Sequence, residues 1–151
     1  MRNMKGLLMR IWKRQLIATA AVLAVSLIAV QTARADDLLI IANHSVKAES
    51  ISQDEARDIF LGDSNSLGGS HVAPVVLQKG ASQTAFLQMV GKSESAFEAT
   101  WRKQVFTGKG SMPHACESED ALIAYVGATP GAVGYVSAGK SPAGVKVLKV
   151  K

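Results

Sequence analysis

The residues of this 151-residue chain that are best arranged for chemistry are Gly80-Ala81-Ser82-Gln83-Thr84, at the junction of an apolar run and a helical pattern. A helix start presents backbone amides without intrahelical partners and carries about half a positive charge, so it attracts anions. Gly80 would let an anion come close to the backbone, and the hydroxyls of Ser82 and Thr84 could donate further hydrogen bonds. The turn therefore predicts a small-oxyanion site, with plain capping of the helix by Ser82 as the alternative.

The sequence predicts no enzyme. It contains no G-x-S-x-G, H-E-x-x-H or G-x-G-x-x-G sequence, and no two carboxylates whose spacing favours acid–base catalysis. No nucleotide-binding loop is predicted either. A binding or interaction protein is the expected class.

The metal-ligating residue types are few and scattered. His44, His71 and His114 have neither i, i+4 spacing nor a cysteine neighbour, so we expect surface histidines and no metal or cofactor. Cys116 is the single cysteine and cannot form an intrachain disulfide. We expect it in a loop before a helix, as an incidental half-buried thiol rather than a nucleophile.

The first 35 residues predict a cleavable signal peptide. A basic segment without acids precedes an apolar run over 16–30, which is shorter than a membrane-spanning helix, and Ala33-Arg34-Ala35 has the small-x-small pattern of a cleavage site. Residues 36–151 are then the exported domain, expected in the periplasm without a stable membrane anchor. An uncleaved N-terminal anchor is the alternative.

Export would change the charge of the protein. Six of the seventeen lysines and arginines, and none of the twelve acidic residues, lie in 1–35, so the net charge falls from +5 for the whole chain to −1 for 36–151. Because the exported domain has no net positive charge, we do not expect a nucleic-acid partner. Its length suits one domain.

The hydrophobic patterns predict an α/β domain with a small central sheet and four helices. A glycine- and serine-rich loop is expected over 63–70, Pro74 is expected at a sheet edge or bulge, and Phe97, Trp101 and Val105 are expected to form a buried stripe. The predicted strands cover 38–42, 72–77, 132–136 and 145–150, and the predicted helices cover 52–61, 82–90, 93–105 and 118–128.

Several motifs, in chain order, carry a family resemblance. They are I-S-x-x-E-A-x-x-I-F-L-G at 51–62, V-x-P-V at 72–75, Phe86, Val90 and G-K-S at 91–93, Trp101, F-T-G-K-G-x-x-P at 106–113, and T-P-G-A-V-G-Y-V at 129–136. Together they resemble the phosphate ABC transporter substrate-binding proteins. The resemblance implies a type 2 periplasmic binding-protein fold, of which this chain is expected to form a single lobe.

The resemblance also implies a function, but this chain departs from one of the family's motifs. Family members read approximately R-x-D-G-S-G-T where this chain has Leu77-Gln78-Lys79-Gly80-Ala81-Ser82-Gln83, so the phosphate-clamping arginine is replaced by Leu77. We therefore expect a periplasmic binding protein for phosphate or another small oxyanion, with an ABC permease or another periplasmic protein as partner. The alternative is a single-lobe interaction or sensory module that has lost phosphate binding. The sequence does not decide whether two copies form a homodimer that completes the cleft.

Overall fold

The computed structural model describes residues 38–151, which form one mixed six-stranded sheet, a separate two-stranded hairpin and four helices. The sheet order is β2-β8-β1-β7-β5-β6, and the hairpin pairs β3 with β4. The predicted signal peptide at 1–35 lies outside the described residues. The strands are β1 Leu38–Ala42, β2 Ser50–Ile51, β3 Ser66–Leu67, β4 Ser70–His71, β5 Ala73–Leu77, β6 His114–Cys116, β7 Ala132–Ser137 and β8 Lys146–Val150.

The four helices begin and end close to the predicted positions. They are α1 Gln53–Leu61, α2 Ala81–Val90, α3 Glu94–Phe106 and α4 Glu119–Ala128. Gly62 ends α1 with φ 79°, in the left-handed region that glycine adopts without steric cost. None of the helices within 38–151 is both long and apolar enough to cross a bilayer.

An aromatic cluster joins the helices to the sheet. The ring of Phe86 stacks on Tyr135 at 4.2 Å between centroids and meets Phe60 and Phe97 edge-on at 5.0 and 5.5 Å. Trp101 packs beside this cluster, and its indole Nε1 donates to the carbonyl oxygen of Phe60 at 3.0 Å. The core therefore anchors α2 against α1, α3 and the strand that carries Tyr135.

Two glycines of the T-P-G-A-V-G-Y motif allow close packing. A Cβ atom on Gly134 would lie 2.7 Å from the side chain of Leu122 on α4. Gly131 has φ 77°, and a Cβ there would lie 2.7 Å from the carbonyl oxygen of His71. The motif thus lets β7 approach both α4 and the end of the hairpin.

The structure corrects the expected settings of Pro74 and Cys116. β5 lies inside the sheet, between β7 and β6, so Pro74 is not on an edge strand. The Ala73 amide donates to the Gly131 carbonyl, on the side of β7. The nitrogen of Pro74 therefore faces the side of β6, and β6 pairs with β5 only from Val75 onward. Proline is tolerated because no ladder bond is required there. Cys116 belongs to β6 rather than to a loop.

Two local details also differ from the predictions. The β3–β4 hairpin over 66–71 takes up most of the expected loop over 63–70, and its turn residues Gly68 and Gly69 have φ 56° and 77°, as primed two-residue turns require. The predicted stripe on α3 is buried at Phe97 and Trp101 but not at Val105, which is 43% exposed near the helix end.

Candidate functional site

The candidate site lies at one edge of the sheet, where three parallel strands end. β5 pairs in parallel with both β6 and β7, so their carboxyl ends lie together. In α/β sheets this edge commonly holds the ligand site. A cavity of about 330 Å³ opens there. Its lining combines the β5–α2 turn with the start of α4 and the end of β7: Leu77, Lys79, Gly80, Ala81 and Ser82, then Ser118 and Glu119, then Ser137.

Gly80, rather than Ser82, is the N-cap of α2, so the expectation that Ser82 caps the helix was wrong. Gly80 has φ 110° and ψ 178°, a backbone region that is essentially restricted to glycine, and no side chain of the described residues caps the helix there. The first intrahelical bond of α2 runs from the Thr84 amide to the Gly80 carbonyl at 3.1 Å. The amides of Ala81, Ser82 and Gln83 precede it and have no acceptor within the helix.

The carboxylate of Glu119 lies in this cavity and accepts three hydrogen bonds from other elements. Its Oε1 accepts from the Ser82 hydroxyl at 2.6 Å and from the Ser137 amide at 2.7 Å, and its Oε2 accepts from the Ser137 hydroxyl at 3.3 Å. Partial burial opposes ionisation of Glu119, but these hydrogen bonds and the positive charge of Lys140 outweigh it and lower its pKa. The cavity therefore contains an ionised carboxylate at neutral pH.

A second network holds the β5–α2 turn from inside the core. The buried Tyr135 hydroxyl donates to Oε1 of Gln83 and accepts from the Leu77 amide at 2.9 Å. Burial of Tyr135 raises the pKa of its phenol, which is therefore protonated and able to donate. The side chain of Gln83 thus supports the turn from the core side, and Thr84 is exposed, with its hydroxyl donating to the Gly80 carbonyl.

The five predicted site residues therefore separate into two groups. Gly80, Ala81 and Ser82 line the cavity, whereas Gln83 and Thr84 do not. Their role in ligand binding stays a prediction. Sequence analysis missed Ser118, Glu119 and Ser137, because these residues are 38 to 57 positions beyond Gly80 and are brought in only by strand pairing. The signal that could have found them is topological: residues that follow parallel strands meet at the same sheet edge.

The electrostatic character of the cavity is mixed. Lys79 is the cation among the lining residues and Glu119 is the anion. Leu77, which stands where the family resemblance implies an arginine, is 3% exposed and belongs to the core. A bidentate guanidinium contact to an oxyanion is therefore absent from the residues that line this cavity.

Residues with metal or thiol chemistry do not gather at this site. Within 38–151, no group of three or more His, Cys, Asp or Glu side chains is arranged to hold a metal ion. The ring of His114 stacks on Tyr125 at 3.9 Å. Cys116 is buried, and desolvation raises the pKa of its thiol, which disfavours the reactive thiolate.

The expectation that the sequence holds no nucleotide-binding loop needs one correction. Residues 134–141 read G-Y-V-S-A-G-K-S and match the letters of the G-x-x-x-x-G-K-S pattern. That pattern binds phosphates as a loop that leads into a helix, but here 134–137 belong to strand β7 and the next element is strand β8. The match is therefore confined to the sequence.

Comparison with known proteins identifies solved structures of the same fold. A protein described as a phosphate ABC transporter substrate-binding protein from Clostridium perfringens, solved with bound phosphate, superposes with a TM-score of 0.60 at 16% identity, over 76% of this chain and 45% of that one. An ABC-type phosphate transport receptor from Vibrio cholerae superposes at 0.58 with 19% identity, over 76% and 46%. PstS from Borrelia burgdorferi superposes at 0.51 with 16% identity, over 77% and 47%.

The similarity to these proteins is found in the structure and not by sequence comparison. No protein-family model matches the chain, and no curated protein matches its sequence. The chain spans just under half of the length of these three structures. The expected fold class is confirmed: residues 38–151 have an α/β fold that is shared with just under half of each of these structures, as expected for a single lobe.

Proposed function

We propose that this protein is a non-enzymatic binding protein for a small oxyanion, with phosphate as the first candidate, and that the ligand binds in the cavity at the start of α2. One observation carries the proposal: α2 begins at a glycine without a side-chain cap, and its first residues line a cavity at the carboxyl ends of three parallel strands. Unpartnered amides and the helix dipole both favour an anion there.

The size and polarity of the cavity support a small ligand. Its volume of about 330 Å³ is at the lower end of the range for small-molecule sites. Lys79 adds a positive charge beside the amides of Ala81 and Ser82. Because no arginine lines the cavity and Glu119 is negatively charged, we expect weak phosphate affinity, in the millimolar rather than the micromolar range.

Titration of the purified protein with sodium phosphate, followed by NMR, tests the proposal. We expect saturable shifts of the amide resonances of Gly80, Ala81 and Ser82, and several-fold weaker binding in Lys79→Ala, because this variant removes the cation of the cavity. The matched control is Lys92→Ala, which removes the same charge beyond the other end of α2 and should leave the affinity unchanged. Shifts confined to other residues, or no saturation at millimolar phosphate, would contradict the proposal.

A second candidate function is supported by the hydrogen bonds of Glu119. Since the hydroxyl of Ser82 and the amide of Ser137 are already engaged with a carboxylate of the same chain, the domain could serve as a periplasmic interaction or sensory module without a free ligand. Size-exclusion chromatography with and without phosphate distinguishes the two functions. A phosphate-dependent change in assembly favours ligand binding, and a phosphate-independent complex favours the module.

The cellular setting is proposed from the sequence and the fold. The basic and apolar N-terminal segment supports export to the periplasm, and the relationship to transport receptors supports an ABC permease as partner. We expect the N-terminus of the exported protein to be Asp36, and mass spectrometry of the intact protein from a periplasmic extract measures it. A chain that retains Met1 in the membrane fraction would contradict cleavage.

A further inference from the structure

The carboxylate of Glu119 is held by the kind of groups that bind a small oxyanion. Two hydroxyls and one backbone amide converge on it, from Ser82 at the start of α2 and from Ser137 at the end of β7. The two residues that donate, Ser82 and Ser137, are 37 and 18 positions from Glu119 in the sequence. The three bonds therefore reflect the tertiary arrangement of the cavity rather than a local cap.

The surrounding charges do not neutralise this carboxylate by direct contact. The ion pairs formed within residues 38–151 do not include Glu119. Lys140, whose positive charge contributes to the lowered pKa of Glu119, is bound to Asp120 at 2.7 Å. Glu119 thus remains a negatively charged group held by neutral donors, as a bound oxyanion would be.

Building on the proposed oxyanion-binding function, we propose that Glu119 is an internal competitor that occupies the ligand's hydrogen-bond donors at Ser82 and Ser137. An oxyanion can take these donors only when the carboxylate moves out of the cavity, and its own charge repels Glu119 while both are present. The side chain therefore sets the affinity of the site. Its release, by a partner that binds the carboxylate or moves α4, would raise the affinity.

The test compares phosphate binding by the wild-type protein, Glu119→Ala and Glu117→Ala. Glu117→Ala is a matched control, because it removes an exposed acid two residues away that does not line the cavity. We expect Glu119→Ala to bind phosphate about tenfold or more tightly, because each bond to the charged carboxylate is worth more than a neutral bond. Glu117→Ala should bind within about twofold of wild type. Equal affinity in the wild type and Glu119→Ala would overturn the inference and leave the proposed function intact.

Sodium acetate provides a readout that does not depend on phosphate. In Glu119→Ala, acetate should refill the vacated position and shift the amide resonances of Ser82 and Ser137, whereas in the wild type it should not. An acetate response without phosphate binding supports the competitor role of Glu119 and contradicts phosphate as the ligand. No response to either anion in Glu119→Ala overturns the inference.

Glu119→Gln covers the case in which the alanine variant does not fold. Its amide oxygen can still accept from Ser82 and Ser137, but it has no charge, so the site should bind phosphate more tightly than the wild type. A circular dichroism melt establishes that each variant is folded. A folded Glu119→Gln with wild-type affinity would overturn the inference.

Discussion

The first backbone amides of α1 and α2 lack partners within their helices, and the two helix starts differ in how these amides are capped. At α1, Ser52 and Glu55 form a capping box: the Glu55 amide donates to the Ser52 hydroxyl at 3.1 Å, and the Ser52 amide donates to the Glu55 carboxylate at 2.8 Å. At α2, Gly80 is the cap and offers no side chain, and the carboxylate nearby belongs to Glu119. The first start is closed by neighbours in sequence, and the second is left open to a cavity.

This difference separates a structural helix start from a candidate binding site. Ser93 and Ser118 cap α3 and α4 in the same local way as Ser52 caps α1. Only at α2, among the helices of the described residues, is the cap a glycine in a conformation that serine would strain. A helix start without a local cap keeps amides available for a ligand, at some cost in stability.

The largest effect is expected from giving α2 a serine at its cap position. Serine is the better N-cap by propensity, but at φ 110° and ψ 178° the backbone strain should outweigh the new hydrogen bond. No atom outside the neighbouring residues lies within 4 Å of a Cβ at this position, so the cost is conformational. We expect Gly80→Ser to lower the free energy of unfolding by about 2 kcal/mol, measured by urea denaturation.

The reverse exchange at α1 is the control for this prediction. Ser52 has ordinary extended backbone, with φ −82° and ψ 162°, so glycine adopts its conformation without strain. Ser52→Gly should cost less than about 0.5 kcal/mol, and Ser52→Ala about 1 kcal/mol. If Gly80→Ser stabilised the protein, serine would cap α2 without strain. The difference described between the starts of α1 and α2 would then be wrong.

A smaller effect is expected from acid, and it compares the two carboxylates directly. Hydrogen bonds from the Ser52 amide and hydroxyl lower the pKa of Glu55, and those from Ser82 and Ser137 lower the pKa of Glu119 against the opposing effect of burial. Because both values are lowered in the folded state, their stabilisation is complete above the ordinary pKa of 4.5 and is lost as the pH falls through the folded values.

Denaturation of the wild type, Glu55→Gln and Glu119→Gln between pH 7 and pH 2 measures this loss. Each glutamine variant should lose less stability on acidification than the wild type, since it has one fewer carboxylate to protonate. A variant with the acid dependence of the wild type would show that its carboxylate is not held as the structure describes.

Most of the fold followed from local patterns in the sequence. The Ser52–Glu55 box, the glycine at 62 and the apolar spacing of Ile59 and Phe60 predict α1 correctly, because all of these signals lie within one helix. The short strands β2 and β6 were missed, since two or three residues carry no periodicity of their own and are strands only through their partners. The inner position of the strand that carries Pro74 was not predicted, because the pairing of β5 is decided by β6 and β7.

The candidate site was likewise predicted in part from local sequence and found in part only in the structure. The sequence by itself determined the β5–α2 turn, because glycine before a helical pattern has a local meaning. Only the tertiary structure decided that Gly80 is the cap, that Gln83 bonds Tyr135 in the core, and that Glu119 and Ser137 meet Ser82. The physical reason is that helix propensity and caps act over a few residues, whereas parallel pairing of β6, β5 and β7 brings distant residues to one sheet edge.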